Sequence, residues 1–357
     1  MIALFEDIIL FKGYLRFLAV DTTREKCFFL PLLWGNLINR YNKNITDEQL
    51  IYFKTKSSQI LELYNFLEEK EFIMNMNESI LSNFTKKTLE YERPQAIDFI
   101  SLFVSIDNLK EIETLIIKEP FGYIRSYQLI VTDDEVELKK IIDILKKMNP
   151  GRICIHIHKE KSSKLASEIA NNDLIERKIN IYPLDKKENS HFYNNISKKT
   201  SGATFIPTFF QIAQSSKFNS YLNKSLFIDK LGNIFSTPNF EKKPIYNLKD
   251  IFSGKFSLKD IIDDKEFTFF WDISKNEIEI CKDCELRMIC IDNRVPIKKG
   301  KFFRYEDFCL YNPYIGKWEE EKEFISIEQC GYYTREGSFM KNPDFIKKYN
   351  KEIWEIE

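Results

Sequence analysis

Residues 281–290 have the sequence Cys-Lys-Asp-Cys-Glu-Leu-Arg-Met-Ile-Cys, and Cys309 follows after 18 further residues. Thiolates two residues apart can bind one metal ion or cluster from a single tight turn, and a distant cysteine completes the ligand set. The chain has only seven cysteines, so this grouping favours a soft-metal centre over unligated buried thiols or a disulfide pair. We therefore predict that Cys281, Cys284, Cys290 and Cys309 hold either a single 4Fe–4S cluster or a single Zn²⁺ ion.

The other three cysteines, Cys27, Cys154 and Cys330, stand singly, and the N-terminal residues carry no targeting signal. Charged residues interrupt the stretch after Met1, so it lacks the apolar segment of a signal peptide. The longest apolar run, residues 27–34, is far shorter than the roughly 20 residues that span a bilayer. We therefore expect a cytoplasmic protein, and in that reducing compartment clustered cysteines serve as metal ligands.

The overall charge excludes two classes of partner. The chain has 53 basic and 54 acidic residues, so nothing in its net charge of −1 attracts it to nucleic acid or to an anionic membrane. Its length of 357 residues predicts two or three domains at roughly 150 residues each. We expect neither a nucleic acid nor a membrane as a partner.

The first predicted domain, residues 1–90, has three strand-like runs followed by helical patterns. The runs are residues 8–11, 15–20 and 27–30. Two apolar stripes of helical spacing follow, and capping residues stand at Thr46 and at Ser57-Ser58. Three strands followed by three helices predict a winged-helix-like module whose sheet has an exposed edge.

The second predicted domain, residues 91–215, alternates strand and helix. Strands are predicted at residues 97–106, 124–131, 153–157 and 179–183, and helices at 133–148 and 162–175. This α/β alternation predicts a parallel sheet or an incomplete barrel, because about four units are too few to close an eight-stranded one. A hairpin around residues 226–235, the cysteine stretch and an aromatic tail make a third domain, residues 216–357.

The third domain resembles the SPASM region of peptide maturases, in particular the grasp-with-spasm family, which accompanies ATP-grasp ligases that act on ribosomally made peptides. The cysteine stretch carries the resemblance, together with Tyr221-Leu-Asn-Lys and Ile228-Asp-Lys-Leu-Gly-Asn-Ile. Lys12-Gly13-Tyr14 and Tyr311-Asn-Pro-Tyr-Ile-Gly-Lys-Trp support it. The resemblance implies a protein that binds a ribosomal precursor peptide and delivers it to an ATP-grasp ligase.

Departures from the family pattern concern one of its two auxiliary iron–sulfur clusters. Family members commonly have cysteines where this chain has Tyr221, Thr237, and Asn293 with Arg294. Those three positions belong to the first cluster, whereas the four retained cysteines match the ligands of the second. The resemblance therefore implies one centre with a mainly structural role, since four cysteine ligands leave no open coordination position.

Radical chemistry is not expected of this chain. Reductive cleavage of S-adenosylmethionine requires a CxxxCxxC loop, and the sequence contains none. The βα segment then resembles a truncated radical-SAM-like sheet that has lost its cluster. We expect no S-adenosylmethionine cleavage, and whether the chain catalyses another reaction stays open.

The resemblance also implies a peptide-recognition role for the first domain. A leader peptide would add as a strand along Lys26, Cys27, Phe28, Phe29 and Leu30 and contact Leu61, Tyr64 and Asn65 on the third helix. The alternative is a winged helix used for packing, or for DNA binding by a zinc-stabilised regulator. The near-neutral charge and the few arginines on the helices disfavour DNA.

Two further groups of residues have open interpretations. Cys154, His156 and His158 alternate with isoleucines, so a strand would place all three on one face. They suit a metal or acid–base site of a peptide-modifying enzyme, or equally a buried strand with satisfied histidines. Glu285 and Arg287, inside the cysteine stretch, are either solvated charges or groups that support the centre, with Arg287 as the hydrogen-bond donor.

Overall fold

A computed structural model gives the fold of residues 2–40, 44–46, 48–49, 51, 55, 58–75, 88–122, 124–148, 152–171, 178–184, 203–240 and 243–354. Over these residues the protein is mixed α/β, with ten α-helices and a seven-stranded mixed sheet. No helix in these ranges is long and apolar enough to cross a membrane.

Two small antiparallel sheets form the N-terminal region. Its elements are β1 (Ile2–Leu4), β2 (Ile8–Lys12), β3 (Arg16–Asp21), β4 (Lys26–Pro31), α1 (Leu32–Arg40), β5 (Asn44–Ile45), α2 (Ser58–Glu69) and β6 (Ile73–Asn75). Strands β2, β3 and β4 form a meander in that order, which confirms the three predicted strands. The second sheet has the order β5-β1-β6, and nothing in the sequence predicts it because its strands are only two or three residues long.

The predicted helix caps in this region are described only in part. Thr46 and Gln49 exchange backbone–side-chain hydrogen bonds of 3.1 and 3.2 Å, as expected of a capping box. Their neighbours at positions 47 and 50, and Ser57 of the other predicted cap, lie outside the described residues.

Both faces of the β2-β3-β4 sheet are buried. Phe17 and Ala19 of β3 point toward α1 and α2, where they join Leu30 in one apolar core. The alternate residues Leu18 and Val20 point the other way and pack against the region that carries the cysteines. The period of two in side-chain direction therefore makes this sheet the layer between the N-terminal helices and the cysteine region.

The seven-stranded sheet lies in the middle of the chain. Its region contains β7 (Phe99–Val104), α3 (Leu109–Lys118), β8 (Ser126–Val131), α4 (Leu138–Lys147), β9 (Arg152–His158), α5 (Lys159–Ala170), β10 (Lys178–Leu184), β11 (Ala203–Phe205), α6 (Phe209–Lys217), β12 (Ser225–Ile228), β13 (Asn233–Phe235) and β14 (Tyr246–Asn247). The strand order is β10-β9-β8-β7-β12-β13-β14. Strands β10 to β12 in this order run parallel, which confirms the predicted parallel sheet, and β13 and β14 continue it antiparallel beyond residue 215.

Helix α4 begins at Leu138, five residues later than the apolar pattern predicts. The carboxylate of Asp133 accepts hydrogen bonds from the backbone N–H groups of Ile106, at 2.9 Å, and Glu135, at 2.8 Å. Asp133 thus fixes a loop ahead of the helix, which a period of apolar residues does not reveal.

The C-terminal region consists of short elements. They are α7 (Leu248–Phe252), α8 (Leu258–Asp263), β15 (Cys290–Asp292), β16 (Ile297–Lys299), β17 (Phe302–Arg304), β18 (Tyr311–Asn312), β19 (Lys317–Trp318), α9 (Ile327–Cys330), β20 (Gly331–Tyr333), β21 (Phe339–Lys341) and α10 (Pro343–Trp354). Three antiparallel hairpins pair β16 with β17, β18 with β19, and β20 with β21. Strand β15 pairs with β11, so Cys290 is anchored to a segment that precedes the cysteine stretch by about eighty residues.

We predict that Gly35→Ala destabilises the protein by about 1–3 kcal/mol. A Cβ atom at Gly35 of α1 would lie 2.3 Å from the ring of the buried Phe17. Steric overlap therefore outweighs the better helix propensity of alanine. Urea unfolding of the full chain measures the effect, with the exposed neighbour Asn36→Ala as the control that changes propensity alone. Equal stability of the two variants would contradict the packing of α1 on β3.

Candidate metal centre

The four predicted cysteine ligands lie in tight turns and at strand ends. Cys281 begins one 3₁₀ turn, Cys281–Asp283, and Cys284 precedes a second, Glu285–Met288. The N–H of Cys284 donates to the carbonyl of Cys281 at 3.0 Å, so the side chains of both cysteines extend from a single turn of the backbone. Cys290 begins β15, and Cys309 stands two residues before β18.

The backbone is strained immediately before the first cysteine. Ile280 has φ +68° and ψ −50°, and the N–H of Cys281 donates to the carbonyl of Glu279 at 2.8 Å, which closes a rare γ-turn. A β-branched residue at positive φ costs free energy and persists only where its surroundings hold it. Here the buried Glu279 carboxylate accepts from the N–H of Phe339 at 2.7 Å and pairs with Lys282. These contacts fix the direction in which Cys281 leaves the turn.

The surrounding protein desolvates all four thiols and brings them within range of one another's charge. Burial raises the pKa of Cys281 and of Cys290 to about 12, and raises the pKa of Cys284 well above its ordinary value. The charges of Cys281 and Cys290 add to the shift at Cys284, and the charge of Cys309 adds to that at Cys290. Such thiols hold their protons at neutral pH unless a metal replaces them.

The chemistry of this donor set fits a soft-metal centre. The backbone N–H of Tyr311 donates to the sulfur of Cys309 at 3.4 Å, a contact that supports a thiolate ligand. Lys275 is only 3% exposed and stands near Cys281 and Cys290, so a cation faces the thiols from inside the protein. Among the described residues, no group of three or more His, Cys, Asp or Glu side chains is placed to hold a metal ion as it stands.

Packed residues occupy the positions where the resembled family has its other cluster ligands. Tyr221 packs among aromatic rings, and its ring centroid lies 6.2 Å from that of Phe99 and 5.8 Å from that of Phe227. The guanidinium of Arg294 forms a buried ion pair of 2.6 Å with Asp292. Both side chains belong to closed packing arrangements, which leaves the four retained cysteines as the candidate ligand set.

A turn of the N-terminal sheet docks on the cysteine stretch. This β2–β3 turn approaches so closely that a Cβ atom at Gly13 would lie 2.8 Å from the backbone nitrogen of Glu285. The N–H of Tyr14 donates to the carbonyl of Asp283 at 2.7 Å. Arg287 donates to the carbonyls of Lys12, at 2.8 Å, and Cys284, at 2.7 Å. Arg287 therefore joins the turn to the cysteine stretch through backbone oxygens.

Arg16 and Glu285 form the centre of this contact. Glu285 is fully buried, and its Oε1 accepts from Arg16 Nε at 2.7 Å and from the hydroxyl of Tyr311. Arg16 also donates to the hydroxyl of Tyr311 at 3.0 Å and to the carbonyl of Gly316 at 3.2 Å. Of the two interpretations of Glu285, the solvated one is wrong, and the sequence analysis missed Arg16 entirely.

The residues predicted to bind a peptide lie on neighbouring elements. Strand β4 is at the edge of its sheet among the described residues, and Lys26, Cys27 and Phe29 on it are exposed. Phe28 faces α2, where its ring lies 6.1 Å from that of Phe66, and Leu30 is buried in the same core. On α2, Leu61 and Asn65 are exposed and Tyr64 is half-buried, with its hydroxyl 3.1 Å from Glu68.

The second candidate group shares one face of β9, as predicted, but its members bind different partners. The isoleucines of β9 point into the main core, and Cys154, His156 and His158 lie on the opposite face. His156 Nε2 lies 3.0 Å from the amide nitrogen of Gln128, whereas His158 Nε2 lies 3.1 Å from the carbonyl of Thr132. Burial lowers the pKa of His156 to about 4, so its ring is neutral at pH 7.

Comparisons with known proteins give no assignment. A scan against models of protein families finds none that matches the chain, and a search of curated proteins finds no significant similarity.

We predict that Cys281→Ser and Cys290→Ser each remove most of the bound metal. The anaerobically purified wild-type protein should contain about four irons or about one zinc per chain, since four thiolates hold one cluster or one ion. Metal and sulfide analysis measures this. Cys330→Ser is the control, because that thiol is buried in the core beside Asn312, 3.3 Å from its amide nitrogen. About eight irons per chain would contradict a single centre.

We predict that Arg16→Leu destabilises the protein by about 3 kcal/mol, because it leaves the buried Glu285 charge without its cation. The double variant Arg16→Leu/Glu285→Leu should recover much of this loss. Urea unfolding of wild type, Arg16→Leu, Glu285→Leu and the double variant gives the coupling free energy. Lys147→Leu is the control: Lys147 and its partner Glu113 are 43% and 42% exposed, so their ion pair is worth about 1 kcal/mol or less. Additive effects at positions 16 and 285 would contradict a direct pair.

Proposed function

We propose that this protein takes part in the maturation of a ribosomally made peptide in the cytoplasm. It binds the precursor at the edge of a winged-helix-like domain and presents it to a partner ATP-grasp ligase. The βα segment, residues 91–215, is the radical-SAM-like remnant, and residues 216–357 are the SPASM-like domain with one centre. One observation carries the proposal: the sheet that has an edge strand suited to peptide addition docks on the cysteine stretch through its β2–β3 turn and Arg16.

The edge of β4 supports peptide binding. Among the described residues β4 pairs only with β3, so one side of its backbone is left to bond an added strand. Apolar side chains are exposed on β4, on α1 and on α2: Phe29 is 45%, Leu33 47% and Leu61 37% exposed. An extended peptide would gain main-chain hydrogen bonds from β4 and apolar contacts from these side chains.

Burial of Arg16 against the cysteine stretch connects this edge to the centre. The guanidinium lies 3.4 Å from the ring centroid of Phe29 and at the same time pairs with Glu285. Cys281, Cys284, Cys290 and Cys309 would hold the cluster or ion, which when bound would cross-link residues 281–290 to Cys309. The centre then gives the peptide-binding sheet a rigid support.

The alternative of an independent enzyme that uses the β9 face has less support. Burial raises the pKa of Cys154, so its thiol is a poor source of nucleophilic thiolate at neutral pH. The ring of His156 gains a proton only near pH 4, the pKa to which burial lowers it. Neither group has the pKa near neutrality that general acid–base catalysis favours.

We predict that the full-length protein binds the leader segment of its genomically paired precursor and that Leu61→Ala/Tyr64→Ala weakens this binding roughly tenfold or more. Phe29→Pro should weaken it too, by removing a backbone donor or by distorting the edge strand. Fluorescence anisotropy with a labelled leader peptide measures the affinity. Glu62→Ala changes an exposed residue on another face of α2 and should leave the affinity unchanged.

Binding to wild-type protein that none of these substitutions affects would place the peptide elsewhere. The ligase partner is tested separately, by co-elution of the purified ATP-grasp protein with this chain in the presence and absence of the precursor. Failure to co-elute under both conditions would contradict delivery to that enzyme.

A further inference from the structure

The ammonium group of Lys275 is buried without a carboxylate partner. The residue is 3% exposed, and its Nζ has one hydrogen-bond contact, to the hydroxyl of Ser220 at 3.4 Å. Among the described residues no Asp or Glu lies within ion-pair distance of it. A buried, unpaired ammonium carries a large desolvation penalty, so an unpaired Lys275 needs a compensating charge nearby.

Of the groups near Lys275, only the cysteine sulfurs are left to supply this compensating negative charge. Asp292 is near Lys275, but its carboxylate already accepts from Arg294 Nε at 3.0 Å and from Nη2 at 2.6 Å. Tyr305 is also near, yet burial raises the pKa of its hydroxyl and keeps it neutral. The other neighbours are the sulfurs of Cys281, Cys290 and Cys309.

A hydrogen-bonded path joins the ammonium to one of these cysteines. Lys275 contacts the hydroxyl of Ser220, and that hydroxyl donates to the carbonyl of Cys290 at 2.9 Å. The path holds Lys275 against the backbone of a candidate ligand without using any atom that would bind the metal. The contact thus comes from two segments outside the cysteine stretch.

We propose that Lys275 is the counter-ion of the four-cysteine centre. Four thiolates around a dipositive ion or cluster core carry a net charge of about −2, and the ammonium of Lys275 compensates part of it. The inference rests on the proposed centre and adds a residue that favours its anionic form. In the metal-free protein the same buried ammonium lacks the charge of the thiolates and has only the nearby Asp292, whose carboxylate is already paired with Arg294.

A counter-ion role for Lys275 predicts effects of substitution that a packing role does not predict. Lys275→Met keeps the length of the side chain and removes the charge. It should speed metal loss to a chelator roughly tenfold or more, in line with the effect of removing other groups that support metal ligands. The same substitution should raise the unfolding temperature of the metal-free protein, because it removes a buried charge that makes no ion pair with a described carboxylate. Lys275→Arg should resemble wild type in both respects.

The test compares full-length wild type, Lys275→Met, Lys275→Arg and Lys265→Met, an exposed control. Metal content, the rate of metal loss to a chelator, and the unfolding temperatures of loaded and stripped protein are measured anaerobically. Faster metal loss with a more stable stripped form supports the proposal. Unchanged metal loss, or a stripped form of Lys275→Met less stable than stripped wild type, overturns it.

Two further outcomes separate failure of the proposed centre from failure of the Lys275 inference. A wild-type protein that binds no metal refutes the proposed centre and this inference together, whereas a metal-bearing wild type with no effect of Lys275→Met refutes the inference alone. If Lys275→Met does not fold, Ser220→Ala removes only the hydrogen-bonded path. It should speed metal loss in the same direction by a smaller factor, and no change in that rate overturns the proposal.

Discussion

The contact between Arg16 and Glu285 is the constraint on which the arrangement of the N-terminal and C-terminal regions depends. Glu285 is fully buried, so its charge is tolerable only while the guanidinium and the hydroxyl of Tyr311 remain in place. Apolar packing alone could slide along the sheet, whereas a buried ion pair permits one register. Gly13 permits the close approach that brings the pair together, because any side chain at that position would overlap Glu285.

Ion pairs also balance most of the charged side chains around the cysteines. Asp292 pairs with Arg294, and Glu285 pairs with Arg16. Glu279 and Asp283, which also lie near the thiols, pair with Lys282 and Lys341. Lys275 is buried near the thiols, and no carboxylate among the described residues lies within ion-pair distance of it. A region arranged in this way disfavours free thiolates through desolvation but accepts them as ligands, because a metal and Lys275 then supply positive charge from two sides.

Sequence patterns predict those features that depend on local periodicity. The strands β2 to β4 and the parallel order of β7 to β10 follow from runs of apolar residues, and the cysteine spacing indicates the candidate ligands. The same patterns do not reveal that Lys275, Glu285 and Arg16 are withdrawn from water, because burial of a charged side chain depends on segments that meet only in the folded chain. A lysine six residues before Cys281 looks like any solvated loop residue.

The stack of Arg16 on Phe29 gives this arrangement a functional consequence. One guanidinium contacts the strand proposed to receive the peptide and the carboxylate beside Cys284. A peptide strand added at β4 would cover Phe29 and further desolvate Arg16, which strengthens its attraction to Glu285. By thermodynamic reciprocity, a bound centre that fixes Glu285 would hold Arg16 and Phe29 in the conformation that receives the peptide. The cysteine region would therefore act as a support that orders the proposed peptide-binding edge, β4, through the single side chain of Arg16.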